Sequence, residues 1–101
     1  MRVSIPRQEI AAFCGSWGIA ELAIFGSALR DDFRPDSDVD VLVSFREHAR
    51  PTLFDMVRMR EELEGIFGRR VDLVSRRGIE SSRNQMRKRA ILDSAEVVHA
   101  A

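Results

Sequence analysis

The sequence predicts an α/β fold of the α+β kind, in which a small mixed β-sheet carries helices mainly on one face. Three observations point there. Apolar stripes at helical spacing alternate along the chain with short apolar runs rich in β-branched residues. Glycines at 18, 26, 68 and 78 fall between these segments, where the chain has to stop or turn. The 101 residues suffice for one modest core, so a single domain over residues 1–101 is expected.

Pro6 suits the first turn of an opening helix that runs to about residue 16, with Ser4 as a nearby cap. Ile10, Phe13, Cys14 and Trp17 fall on one stripe of it, which reads as core, and Gly18 ends it. Residues 21–25 read as a first strand. Residues 26–36 read as a loop, with one helical turn over 27–30. Residues 38–45 form a second strand and 46–51 a polar loop. Thr52 opens a second helix, since Thr52-Leu53-Phe54-Asp55 resembles a capping box with Asp in place of Glu. Its expected buried face is Leu53, Met56, Val57, Leu63, Ile66 and Phe67, with Arg58, Glu61, Glu62 and Glu64 toward water. Gly68 is a C-terminal stop. Residues 71–74 read as a short central strand, 79–91 as a basic third helix, and 95–99 as a short edge strand.

Sixteen acids and sixteen bases give a formal net charge of zero, so overall charge does not argue for nucleic acid or a membrane. The distribution is uneven. Residues 31–64 hold ten acids and five bases, and residues 69–89 hold eight bases and two acids. One half suits a metal and the other a phosphate or an acidic partner, unless the bases only solvate a helix face. Fifteen of the sixteen bases are arginine, which suits phosphate recognition but is equally explained by genome base composition. The lone cysteine, Cys14, excludes an internal disulfide and fits a reducing cytoplasm. No signal peptide is visible, and no apolar run approaches the roughly 18 residues of a membrane span.

The chemistry is concentrated between Ile24 and Val43. An apolar run ends in Gly26-Ser27, and after ten residues Asp38-Val39-Asp40 opens a second apolar run. Strand alternation puts Asp38 and Asp40 on one face and turns Val39 into the core. Two carboxylates aimed at one point repel unless a cation or a shared proton lies between them. Hard oxygen ligands of this kind suit Mg²⁺, which completes its shell with substrate phosphates. A Gly-Ser turn offers those phosphates a close backbone approach, N–H donors and a hydroxyl. Asp72 is a lone acid within Val71-Asp72-Leu73-Val74. If its strand lies beside that of Asp38 and Asp40, three carboxylates converge and two Mg²⁺ ions can be held, one activating an attacking hydroxyl and one holding a triphosphate. Otherwise Asp72 serves as a surface ion-pair partner. His48 and His99 have no metal-ligand spacing. Arg76, Arg77 and Arg83 are within range of a triphosphate or a partner surface, and Arg87-Lys88-Arg89 is either a nucleic-acid patch or a solvated helix end.

Gly26-Ser27, ten residues, then Asp38-Val39-Asp40 resembles the signature of the DNA polymerase β-like nucleotidyltransferases. The full string from Gly26 to Val43 resembles their small prokaryotic branch, the minimal or MntA-like nucleotidyltransferases. The likeness extends from the leading helix through the Leu-Phe-Asp-Met-Val helix and the Arg-Val-Asp-Leu-Val strand to the short ending. It implies the polymerase β-like fold, metal binding and catalysis by Asp38, Asp40 and Asp72, triphosphate binding by Gly26 and Ser27, and a phosphate or loop contact by Arg30. It further implies ATP as substrate with Mg²⁺, and a role as the antitoxin that transfers AMP to a tyrosine hydroxyl of a HEPN-domain toxin. A hetero-oligomer with that toxin is expected, with no membrane and no direct nucleic-acid contact. Three other readings stay open at this point: neutralisation by binding alone, transfer to a small soluble hydroxyl compound, and nucleic-acid binding through the basic third helix.

Overall fold

The computed structural model describes residues 4–29, 34 and 36–100, with Ser27 described by its backbone alone. Its elements are α1 (Arg7–Trp17), β1 (Ile19–Phe25), a 3-10 turn (Gly26–Leu29), β2 (Val39–Phe45), α2 (Leu53–Phe67), β3 (Val71–Ser75), α3 (Arg76–Glu80), α4 (Gln85–Ser94) and β4 (Glu96–Ala100). The four strands form one mixed sheet in the order β3-β2-β1-β4. β1 runs antiparallel to both β2 and β4, whereas β2 and β3 are parallel. Parallel neighbours need a crossover, and α2 supplies it.

α1 and α2 cover one face of the sheet. The larger core lies there, built from Ile10, Phe13 and Cys14 of α1, Met59 and Leu63 of α2, and Leu22, Ile24, Val39, Val41, Val43 and Val71 of the strands. The period of two places the alternate strand residues on the other face, where Ala23, Phe25 and Leu42 meet Ile79 of α3 and Ile91 of α4 in a smaller cluster. The small mixed sheet is the one expected, but helices pack on both of its faces rather than mainly on one: the longer α1 and α2 on the first, α3 and α4 on the second. No helix among the described residues is long and apolar enough to cross a membrane.

α2 starts where its capping box predicts. The Thr52 hydroxyl accepts from Asp55 N at 3.1 Å, and the Asp55 carboxylate accepts from Thr52 N at 2.9 Å. Its buried stripe differs from the expected one. Leu53 and Val57 are exposed, at 84% and 46%, and Met59 takes the central core position. Periodicity finds an apolar stripe but not where the sheet beneath it ends. Glu64 also departs from expectation: it is half-buried, and its carboxylate accepts from Val71 N at 3.0 Å. β3 lies at the sheet edge rather than the centre. The expected third helix is two. Ser82 accepts from Asn84 N, and Asn84 then caps α4 by accepting from Arg87 N. Side-chain oxygens that satisfy nearby backbone donors compete with helix continuation, and they break it here.

Cys14 is fully buried, and loss of hydration pushes its thiol up from 9.0 to about 11. In the folded chain it should ignore a disulfide reagent at pH 8, and it should react fully once urea unfolds the protein. The unfolded chain loses this proton at lower pH than the folded one. The contribution to stability is therefore intact below pH 9 and falls as the pH rises from 9 toward 11. Urea midpoints across that range, with Cys14→Ala as the reference, measure it.

Candidate active site

The site lies at one end of the sheet, where β1 finishes and β2 and β3 begin. Antiparallel pairing sets Phe25 opposite Asp40, and parallel pairing sets Asp40 beside Asp72. Neighbouring strands are about 4.8 Å apart, so the two carboxylates rise side by side from one face. Asp38, two residues before Asp40, starts from the same face. Asp40 is half-buried, while Asp38 and Asp72 are exposed.

Gly26 follows Phe25 with φ +74°, a backbone that other residues seldom adopt. A Cβ built there would overlap the Asp40 carboxylate and stand 3.1 Å from its Cγ. Glycine therefore lets the turn after β1 lie directly against that carboxylate. The 3-10 turn that begins there includes Ser27 in its backbone. Arg30 and the side chain of Ser27 lie outside what is described.

Two arginines just before β3 reach the same end. Arg70 Nε is 3.2 Å from Asp38 Oδ1, and the Arg70 carbonyl accepts from Val39 N at 2.9 Å. Arg69 Nη1 donates to the Arg34 carbonyl at 2.8 Å and approaches the Ser37 carbonyl at 3.5 Å. Sequence reasoning did not single out this pair. A usable signal was present, since two adjacent bases immediately precede the Val71-Asp72 pair. By contrast, Arg76 and Arg77 start α3 beyond the far end of β3, and Arg76 pairs with Glu80 at 3.7 Å.

A hard divalent cation suits the donor set of Asp38, Asp40 and Asp72, which offers carboxylate oxygens and no sulfur or imidazole. Among the described residues, no group of three acids, histidines or cysteines is already drawn in around a single point. Asp38 leans on Arg70. Two concavities, of about 520 Å³ along α4 and about 400 Å³ beside Trp17, are lined by other residues. In the second, Trp17 Nε1 donates to Glu62 at 2.9 Å.

The chain belongs to the nucleotidyltransferase domain family, whose profile matches residues 7–98. It is similar to the protein adenylyltransferase MntA of Thermococcus cleftensis, with 42% identity over 65 residues. That match spans 64% of this chain and 64% of the Thermococcus protein, just under two thirds of its length. A solved structure described as a candidate minimal nucleotidyltransferase superposes with a TM-score of 0.67 at 37% identity, covering 89% of this chain and 86% of the other. A re-refined structure of a tri-AMPylated Shewanella oneidensis HEPN toxin in complex with MNT antitoxin shares the fold. Its TM-score is 0.63 at 14% identity, over 94% of this chain and 70% of that one. The family expected from the Gly26-Ser27 and Asp38-Val39-Asp40 signature is the family found.

Proposed function

We propose that this chain is a Mg²⁺-dependent protein adenylyltransferase. It transfers AMP from ATP to a hydroxyl, that of a tyrosine, on a cognate HEPN-type toxin, and it acts as the antitoxin of that pair in the cytoplasm. Residues 1–101 act as a single minimal nucleotidyltransferase domain. The observation that carries the reading is the register of Asp40 beside Asp72, with Gly26 packed against Asp40 at the same sheet end.

The acceptor hydroxyl gives up its proton to water, its oxygen attacks the α-phosphorus in line, the bond to the bridging oxygen breaks, and pyrophosphate leaves. Asp38, Asp40 and Asp72 would hold one or two Mg²⁺ ions, which when bound neutralise charge on the phosphates and activate the hydroxyl. Gly26 and Ser27 present the turn after β1 to the β- and γ-phosphates, and holding the triphosphate there aligns the α-phosphorus for attack. Arg30 follows the same turn and contacts a phosphate or the loop. The toxin supplies the acceptor and contributes to the pocket by docking as a hetero-oligomer.

The test combines the purified chain, the product of the adjacent gene, labelled ATP and Mg²⁺. Label is expected on the neighbour protein. A complex that forms and stays unlabelled would count against the proposal. Cells still protected by the Asp38→Ala, Asp40→Ala double variant would favour neutralisation by binding alone.

A further inference from the structure

We infer that Arg69 is the positioning residue of the acidic site, setting Asp38 and Asp40 against Asp72 through backbone contacts; this rests on the metal-binding reading above. Asp38 immediately precedes β2 and Asp40 lies on it, whereas Asp72 comes from β3 after the α2 crossover. Something has to hold the approach to β2 against the approach to β3. Arg69 belongs to the second approach, and its guanidinium reaches the first at Arg34 and Ser37.

Arg34 and Ser37 are themselves joined twice. Ser37 N donates to the Arg34 carbonyl, and Arg34 N donates to the Ser37 hydroxyl, each at 3.0 Å. On the other side of Asp38, Val39 N donates to the Arg70 carbonyl. The backbone on both flanks of Asp38 is thus tied to residues 69–70, and the next two residues along lead to Asp72. Arg69 is half-buried, and its Nη1 donates to the Arg34 carbonyl and approaches that of Ser37. A charge-assisted bond to a carbonyl depends on neither the ionisation of the acids nor the presence of a cation. The neighbouring Arg70–Asp38 ion pair is different, because both side chains are substantially exposed, at 78% and 48%, and such a pair contributes little. Both contacts come from one guanidinium nitrogen, Nη1, so a lysine ammonium keeps the charge and can reach one carbonyl from a different geometry.

The experiment titrates Mn²⁺ into the full chain and reads the free ion by electron paramagnetic resonance. Mn²⁺ accepts the same oxygen ligands as Mg²⁺. Arg69→Ala is expected to weaken Mn²⁺ binding by about 10- to 100-fold, the scale seen when groups supporting metal ligands are removed. Arg69→Lys should recover part of that loss. Leu63→Ala, a core change that lowers the urea midpoint further, should leave the affinity of the folded chain unchanged. This separates positioning from general destabilisation. Arg69→Ala binding Mn²⁺ within threefold of the wild type would overturn the inference while leaving the site intact. Wild-type Mn²⁺ binding that Asp40→Asn does not reduce would overturn the metal-binding reading and the inference with it.

Discussion

Asp40→Asn is expected to lower AMP transfer by two to three orders of magnitude without unfolding the chain. Asparagine keeps the shape of the side chain between Phe25 and Asp72 and removes only its charge. Loss of one preorganised electrostatic group costs about 10²–10³ in rate. The melt should stay cooperative, because the substitution changes no volume at this half-buried position. Label transfer and a circular dichroism melt on the same preparation measure both. Transfer within tenfold of the wild type would remove Asp40 from the chemistry.

Gly26→Ala should damage transfer for a steric reason. The new methyl cannot coexist with the Asp40 carboxylate where it stands, so the acid must rotate or the ends of β1 and β2 must part. The φ of +74° adds backbone strain, and the combined loss of stability should be about 1–3 kcal/mol. Gly18→Ala is the control. Gly18 has φ +68°, and a Cβ there meets Ala49 Cβ at 3.3 Å, with no acid beside it. It should lose about 1–2 kcal/mol from backbone strain and retain transfer. A Gly26→Ala protein that loses stability like Gly18→Ala but transfers AMP at the wild-type rate would show that the close approach to Asp40 has no catalytic use.

Much of this architecture is legible in the sequence because its signals are local. Thr52 and Asp55 form the capping box where their spacing places it. Gly18 and Gly68 take left-handed backbone at the ends of α1 and α2. Val39 turns inward, and Asp40 and Asp72 fall in register. What could not be read depends on partners distant in the chain. Leu53 and Val57 continue an apolar stripe, yet nothing in the sequence says that the sheet stops short of them. The Val71-Asp72-Leu73-Val74 run is as apolar as a central strand, and only the strand order reveals an edge. Arg69 looked like one base among many, since its acceptors lie more than thirty residues earlier. The break at Ser82 and Asn84 was accessible in principle, through two polar side chains suited to capping inside a proposed helix.

The parallel alignment of β2 and β3 also fixes an order of assembly during synthesis. A nascent chain exposes Asp38 and Asp40 while the stretch carrying Asp72 is still inside the ribosome. At about 5–20 residues per second, that delay lasts seconds. An amino-terminal segment that stops before Val71 carries only two of the three acids, so the proposed site would be complete only late in translation, when the crossover returns.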